Sequence, residues 1–150
     1  LARALGVFTA RENIIVKLEV SSSSTNISAP KISLNYQILT DLPAKFKFPD
    51  GRIELGVHAS YGEIEEDSYW KFTPNGSSGV TDVKLSDILY KVLDQVDLSG
   101  EKFISIPITF TYSGEELCST TVRFGRYELE RYENIKQRRS QGKNESSSER

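Results

Sequence analysis

His58 is the only histidine in the 150-residue chain, so any Ser-His-Asp or Cys-His arrangement must use it. It falls on the outward side of an alternating stretch, with no neighbouring motif, which reads as an ordinary exposed strand histidine. Sites built from two or three histidines are excluded by the count. Carboxylates are more plentiful: Glu63, Glu65, Glu66 and Asp67 fall within five positions. A glycosidase needs two such groups held apart at a set distance. Close spacing on a polar connector reads instead as a solvated acidic loop. A weak calcium site is the functional alternative, but the ligand spacing of an EF-hand loop is absent. The single cysteine, Cys118, permits neither an internal disulfide nor a thiolate zinc site, and mildly favours a reducing compartment. No G-x-G-x-x-G, G-x-x-x-x-G-K or G-x-S-x-G pattern occurs. The expectation is therefore no cofactor, no resident metal and no enzyme.

Residues suited to contact rather than catalysis are easier to find. Tyr69, Trp70 and Phe72 offer a stacking platform for a sugar or base, or plain sheet packing. Lys136, Arg138, Arg139 and Lys143 form a small basic cluster able to touch nucleic-acid phosphate, an import receptor or an acidic partner surface. Glu128, Glu130 and Glu133 precede it, which favours a solvated charged helix. Leu5, Val7 and Phe8 make the segment Leu1–Ala10 apolar, fit to pack on its own domain or on a neighbour. Asn26-Ile-Ser28, Asn75-Gly-Ser77 and Asn144-Glu-Ser146 match the N-glycosylation pattern.

These residues need elements to hold them. Phe103–Tyr112 is the clearest, with Ile104, Ile106, Ile108, Phe110 and Tyr112 on one side and Ser105, Pro107, Thr109 and Thr111 on the other. Period two means a half-buried β-strand. Pro107 lacks an N–H, so the strand is expected at a sheet edge or bulged there. The same alternation recurs over Asn13–Val20, Lys31–Leu39, Arg52–Ala59 and Leu117–Phe124, with a short aromatic strand at Ser68–Phe72. Gly56 in mid-strand hints at a bulge or a close backbone contact. Ser21–Asn26 reads as a mobile loop tip. Between Leu85 and Val96 the period changes to three and four, giving one amphipathic helix with Ser86 as N-cap. From Arg126 the chain is highly charged with a thin stripe of Leu129, Tyr132 and Ile135, read as helix from about Leu129. Ser140–Arg150 is polar and expected to be disordered alone.

The fold class is thus mainly β: an antiparallel β-sandwich or partly open barrel, with one helix at about 85–96 and a charged helical C-terminal extension. The division is an N-terminal arm (1–12), a β-rich core (13–125) and the extension (126–150). A net charge of −2 and pI near 5.5 create no field favouring nucleic acid or an anionic membrane. No apolar run approaches the roughly 18–20 residues that span a bilayer. The start at Leu1 reads as a fragment or processed product, and localisation stays unassigned. The expected function is a non-enzymatic structural or interaction domain that self-associates or scaffolds an assembly, with protein partners and a homo-oligomer. In style, its strand–loop–strand start and terminal arms are similar to small viral structural proteins, matrix or capsid, though no motif carries that likeness. The alternatives are a carbohydrate- or lipid-binding sandwich and a trafficking adaptor that binds peptides at a sheet edge.

Overall fold

Each of the five alternating stretches falls on a strand where the structure describes it. The structure, a computed structural model, describes residues 15–39 and 53–148. The apolar arm with Leu5, Val7 and Phe8 lies outside the described residues. In chain order come β1 (Ile15–Ser24), β2 (Lys31–Leu39), β3 (Ile53–Tyr61), β4 (Ile64–Phe72), β5 (Ser78–Lys84), helix α1 (Ser86–Leu93), β6 (Phe103–Tyr112), β7 (Glu115–Gly125) and helix α2 (Arg126–Ser148). They form two sheets, β1-β2-β5 and β4-β3-β6-β7, antiparallel throughout. The sheets stack as a sandwich and do not close into a barrel. The split resembles the immunoglobulin-type sandwich, except that the fourth strand pairs with the third rather than the fifth.

The inward residues of the two sheets make one core. On β6, Ile104, Ile106, Ile108 and Phe110 are all at most 1% exposed, each contributing about 1.5–3 kcal/mol by burial. Leu34 and Leu55 are equally buried, and Tyr36 packs its ring on Phe72 with centroids 5.1 Å apart. The Tyr36 ring also passes where a Gly79 Cβ would sit, with its hydroxyl 2.8 Å away.

Several local expectations need correction. Strand β6 lies between β3 and β7, not at an edge. However, β3 pairs with it only from Ile108 to Thr111, while β7 accompanies it from end to end. Pro107 therefore sits where the β3 ladder has just stopped, the place its missing N–H does least harm. The bulge of this hairpin falls between Phe110 and Thr111 instead. The acidic stretch Glu63–Asp67 is not a connector: β4 begins at Ile64, after a turn with Gly62 at φ +61°. Its alternation was hidden because inward Glu66 and Ser68 are polar on an edge strand. Glu66 is served there by the Gln95 amide, which donates to it at 2.8 Å. Ser21–Ser24 is strand rather than loop, shifted by a bulge between Val20 and Ser22.

Helix α1 is shorter than its periodicity, ending at Leu93, because the chain tightens there: Gln95 N–H donates to Val92 C=O and Val96 N–H to Leu93 C=O. Its N-cap is Leu85, with no side-chain cap bond, so Ser86 does not play that part. The Leu85 N–H instead donates to Pro30 C=O at 3.0 Å. Helix α2 starts at Arg126, directly after β7, and runs to Ser148 through the Ser-rich stretch whose composition expects disorder. Extending an anchored helix costs far less than nucleating one.

Helix α2 packs onto the sandwich with Leu129 and Tyr132 fully buried. The Arg126 guanidinium donates to the carbonyls of Leu98 (2.7 Å) and Glu101 (2.6 Å). Glu128 accepts from Ile27 N–H at 3.1 Å. The Tyr132 hydroxyl donates to Asp94, and Arg139 donates to that same hydroxyl at 2.9 Å. These contacts clamp α2 across the β1–β2 turn and α1.

Candidate functional site

The outer face of the four-stranded sheet carries most of the residues with chemical potential. The strand register sets them in rows, because directly paired residues point to the same face. One row is Tyr69, Gly56, Thr111 and Glu116. The next is Asp67, His58, Thr109 and Ser119. Between them lies a shallow depression of about 440 Å³, lined among others by Gly56, His58, Asp67, Tyr69, Thr111 and Glu116. Gly56 makes it possible: a Cβ there would come within 2.4 Å of the Thr111 Oγ1. Tyr69 is its wall, 70% exposed.

The second row has an Asp–His–hydroxyl order but not a nucleophilic geometry. His58 Nδ1 lies 2.7 Å from Asp67 Oδ1, and Nε2 lies 3.4 Å from Glu65 Oε1. A nucleophile needs its base within about 2.6–3.2 Å of the hydroxyl, and here the second nitrogen is turned to a carboxylate. Nor do these groups converge on an ion, since the two carboxylates address opposite ring nitrogens. Among the described residues no group of three or more His, Cys, Asp or Glu is arranged for a metal. What the arrangement does chemically is concentrate anionic charge. Glu65 and Asp67 flank the imidazole of His58, Glu116 lines the same depression, and the cation of β4, Lys71, is already paired with Glu54 at 3.6 Å.

Of the two readings of Tyr69, Trp70 and Phe72, sheet packing holds for Trp70 and Phe72. Neighbours on a strand face opposite ways, so Trp70 and Phe72 turn inward and Tyr69 outward. Trp70 Nε1–H reaches Thr81 Oγ1 of β5 at 3.5 Å. The basic cluster also divides. Lys136 and Arg138 are exposed, whereas Arg139 is engaged with Asp94 at 3.2 Å and with the faces of Tyr90 and Tyr132. Asn26 accepts from Ser28 N–H and from Arg131, which ties the first glycosylation-pattern segment to α2.

Cys118 pairs with Phe110 and is half-buried on the inner side of the sheet. Burial first, and then the Glu116 charge, push its thiol up to about 11, which keeps it protonated and a poor nucleophile. Thr109, Thr111 and Glu116 were not singled out from sequence. They join His58 only through hairpin register, and the one local signal was Gly56 in mid-strand.

A second opening lies where β6 runs past the end of β3. It measures about 480 Å³ and is lined by Tyr61, Gly100, Glu101, Lys102, Phe103 and Ser105. Phe103 is 46% exposed there, under the guanidinium of Arg123 at 3.9 Å.

No family model matches the chain, and no curated protein matches it. Among solved structures, a β-glucosidase from Kluyveromyces marxianus is similar at 15% identity, with a TM-score of 0.46 over 75% of this chain. The match spans 14% of that enzyme's chain. No helix of the described residues is long and apolar enough to cross a membrane.

Proposed function

We propose that this chain is a non-enzymatic interaction domain that self-associates to scaffold an assembly. The observation supporting it most directly is that β1 begins and α2 docks at opposite ends of the sandwich. Ile15 pairs with Leu39, at the end that holds the 73–77 loop, where Ile38 N–H donates to Ser77 C=O. Strand β1 begins at that pole. Helix α2 occupies the other pole, against Ile27, Tyr90 and Leu98. A module with unlike surfaces at opposite poles can repeat one contact from copy to copy, giving rings or filaments. The finer form of the reading, a matrix- or capsid-like subunit, adds only that the repeat closes into a shell or layer.

Light scattering over a concentration series tests it. The expected result is a mass that rises with concentration; a strict monomer at high concentration refutes it. Deleting residues 1–10, or everything after Arg139, is expected to change the assembly and leave the circular dichroism spectrum of the sandwich intact.

One observation favours a second reading, peptide binding by strand addition. Among the described residues, Phe103–Pro107 of β6 have a ladder partner on one side only, beside the apolar opening at Tyr61. An extended peptide paired there gains main-chain hydrogen bonds. Protection of Phe103–Ile106 amides from hydrogen exchange on adding a peptide library supports it, and unchanged exchange removes it.

A further inference from the structure

We infer that the outer face of the four-stranded sheet is the receiving surface for the basic stretch of α2 from a second copy, an inference that rests on the self-association reading and names its contact. Three observations carry it.

The first is charge complementarity. The depression over Gly56 is lined by the carboxylates Asp67 and Glu116 on a solvent-facing sheet surface, with Glu65 beyond His58 on the same face. Residues 136–148 hold Lys136, Arg138, Arg139 and Lys143 against one carboxylate, Glu145. Lys136 and Arg138 are exposed and, among the described residues, form no ion pair.

The second is shape. Gly56 lets the sheet surface dip, and Tyr69 stands up beside the dip with 70% of its surface in solvent. A Lys or Arg side chain seated there meets a carboxylate on one side and an aromatic face on the other, the pairing that gives a cation–π contact.

The third is position. Tyr69, Gly56, Thr111 and Glu116 lie near the Ser113–Gly114 turn, toward the pole opposite α2. The described clamps on α2 end at Arg139, and nine further residues to Ser148 project roughly 14 Å as helix. The Tyr69–Glu116 row and the docked part of α2 thus lie toward opposite ends of the sandwich, which favours a contact between copies. The contact is heterologous: the α2 patch of one copy meets the sheet-face patch of the next.

The test uses the full 150-residue chain in light scattering at two salt concentrations, with two charge-reversed variants. One carries Lys136→Glu and Arg138→Glu; the other carries Asp67→Lys and Glu116→Lys. All four positions are exposed, and circular dichroism checks that each variant folds. The expected results are wild-type association that weakens at least tenfold in high salt, a similar loss in each variant alone, and recovery when the two variants are mixed. Recovery on mixing separates a direct contact from general charge effects. Wild-type association that is unchanged in both variants, or variants that fail to recover on mixing, overturns the contact while leaving self-association standing. Absence of any wild-type association overturns both.

Discussion

Replacing Tyr132 with Phe isolates the hydroxyl that locks α2 to the sandwich. The ring is fully buried and packs on Tyr90 with centroids 5.0 Å apart, and Phe preserves that packing. What is lost is the donation to Asp94 and the acceptance from Arg139 at 2.9 Å. A hydrogen bond to a charged group contributes about 1.5–3 kcal/mol. The Asp94 side chain is 40% exposed and keeps Arg139 at 3.2 Å, so water and the guanidinium take up part of the loss. The expected cost is therefore about 1–1.5 kcal/mol, or roughly 3–5 °C in Tm for a chain of this length. Tyr132→Ala also removes the ring and is expected to cost about 3–5 kcal/mol. Urea denaturation followed by circular dichroism gives both numbers, and hydrogen exchange shows whether the loss centres on 126–139. A Tyr132→Phe variant as stable as the parent would mean that the hydroxyl merely accompanies a helix held by Leu129 and Arg126.

The same phenols set an alkaline limit. Burial raises the pKa of Tyr90, and burial with the Asp94 hydrogen bond raises that of Tyr132 further. A raised folded-state pKa gives stability that is fully present below about pH 10, where unfolded phenols begin to ionise, and is lost as pH climbs above it. The expected profile is flat from neutrality to about pH 10 and then falls, with a shallower fall in Tyr132→Phe; a flat profile to pH 11.5 counts against it. Gly56→Ala is expected to cost about 1–3 kcal/mol, because the new Cβ meets Thr111 Oγ1 at 2.4 Å. In a Thr111→Ala background the same change is expected to cost much less, since the Thr111 Cβ is 3.7 Å away; equal costs in both backgrounds refute the steric account. Cys118, with its thiol pushed up to about 11, is expected to react with a disulfide reagent at pH 8 far more slowly folded than in urea. Equal rates would place the thiol in solvent.

Much of the architecture is written in alternation. Ile104, Ile106, Ile108 and Phe110 declare their buried side by residue type alone, as do Ile32, Leu34 and Tyr36 on β2. So do α1 and α2, through the three-and-four spacing of Ile88, Leu89, Val92 and Leu93 and the stripe of Leu129 and Tyr132. These are local properties: a strand or helix sorts its own side chains by period, whatever its neighbours are. Strand β4 escaped partly because its inward Glu66 is satisfied by Gln95, 29 residues away, which no local pattern announces.

The site belongs to tertiary structure. That His58 stands between Asp67 and Glu65 depends on a hairpin register, and that Thr109, Thr111 and Glu116 join the same face depends on a second hairpin pairing with the first. A slip of one residue in either pairing would turn those side chains to the other face. Likewise, only docking separated Arg139, spent on Asp94, from Lys136 and Arg138, which face solvent. Residue types along the chain determine which surfaces a segment hides. Which distant segments then share a surface is settled by pairing and packing between elements far apart in the chain, whose free energy no single segment carries.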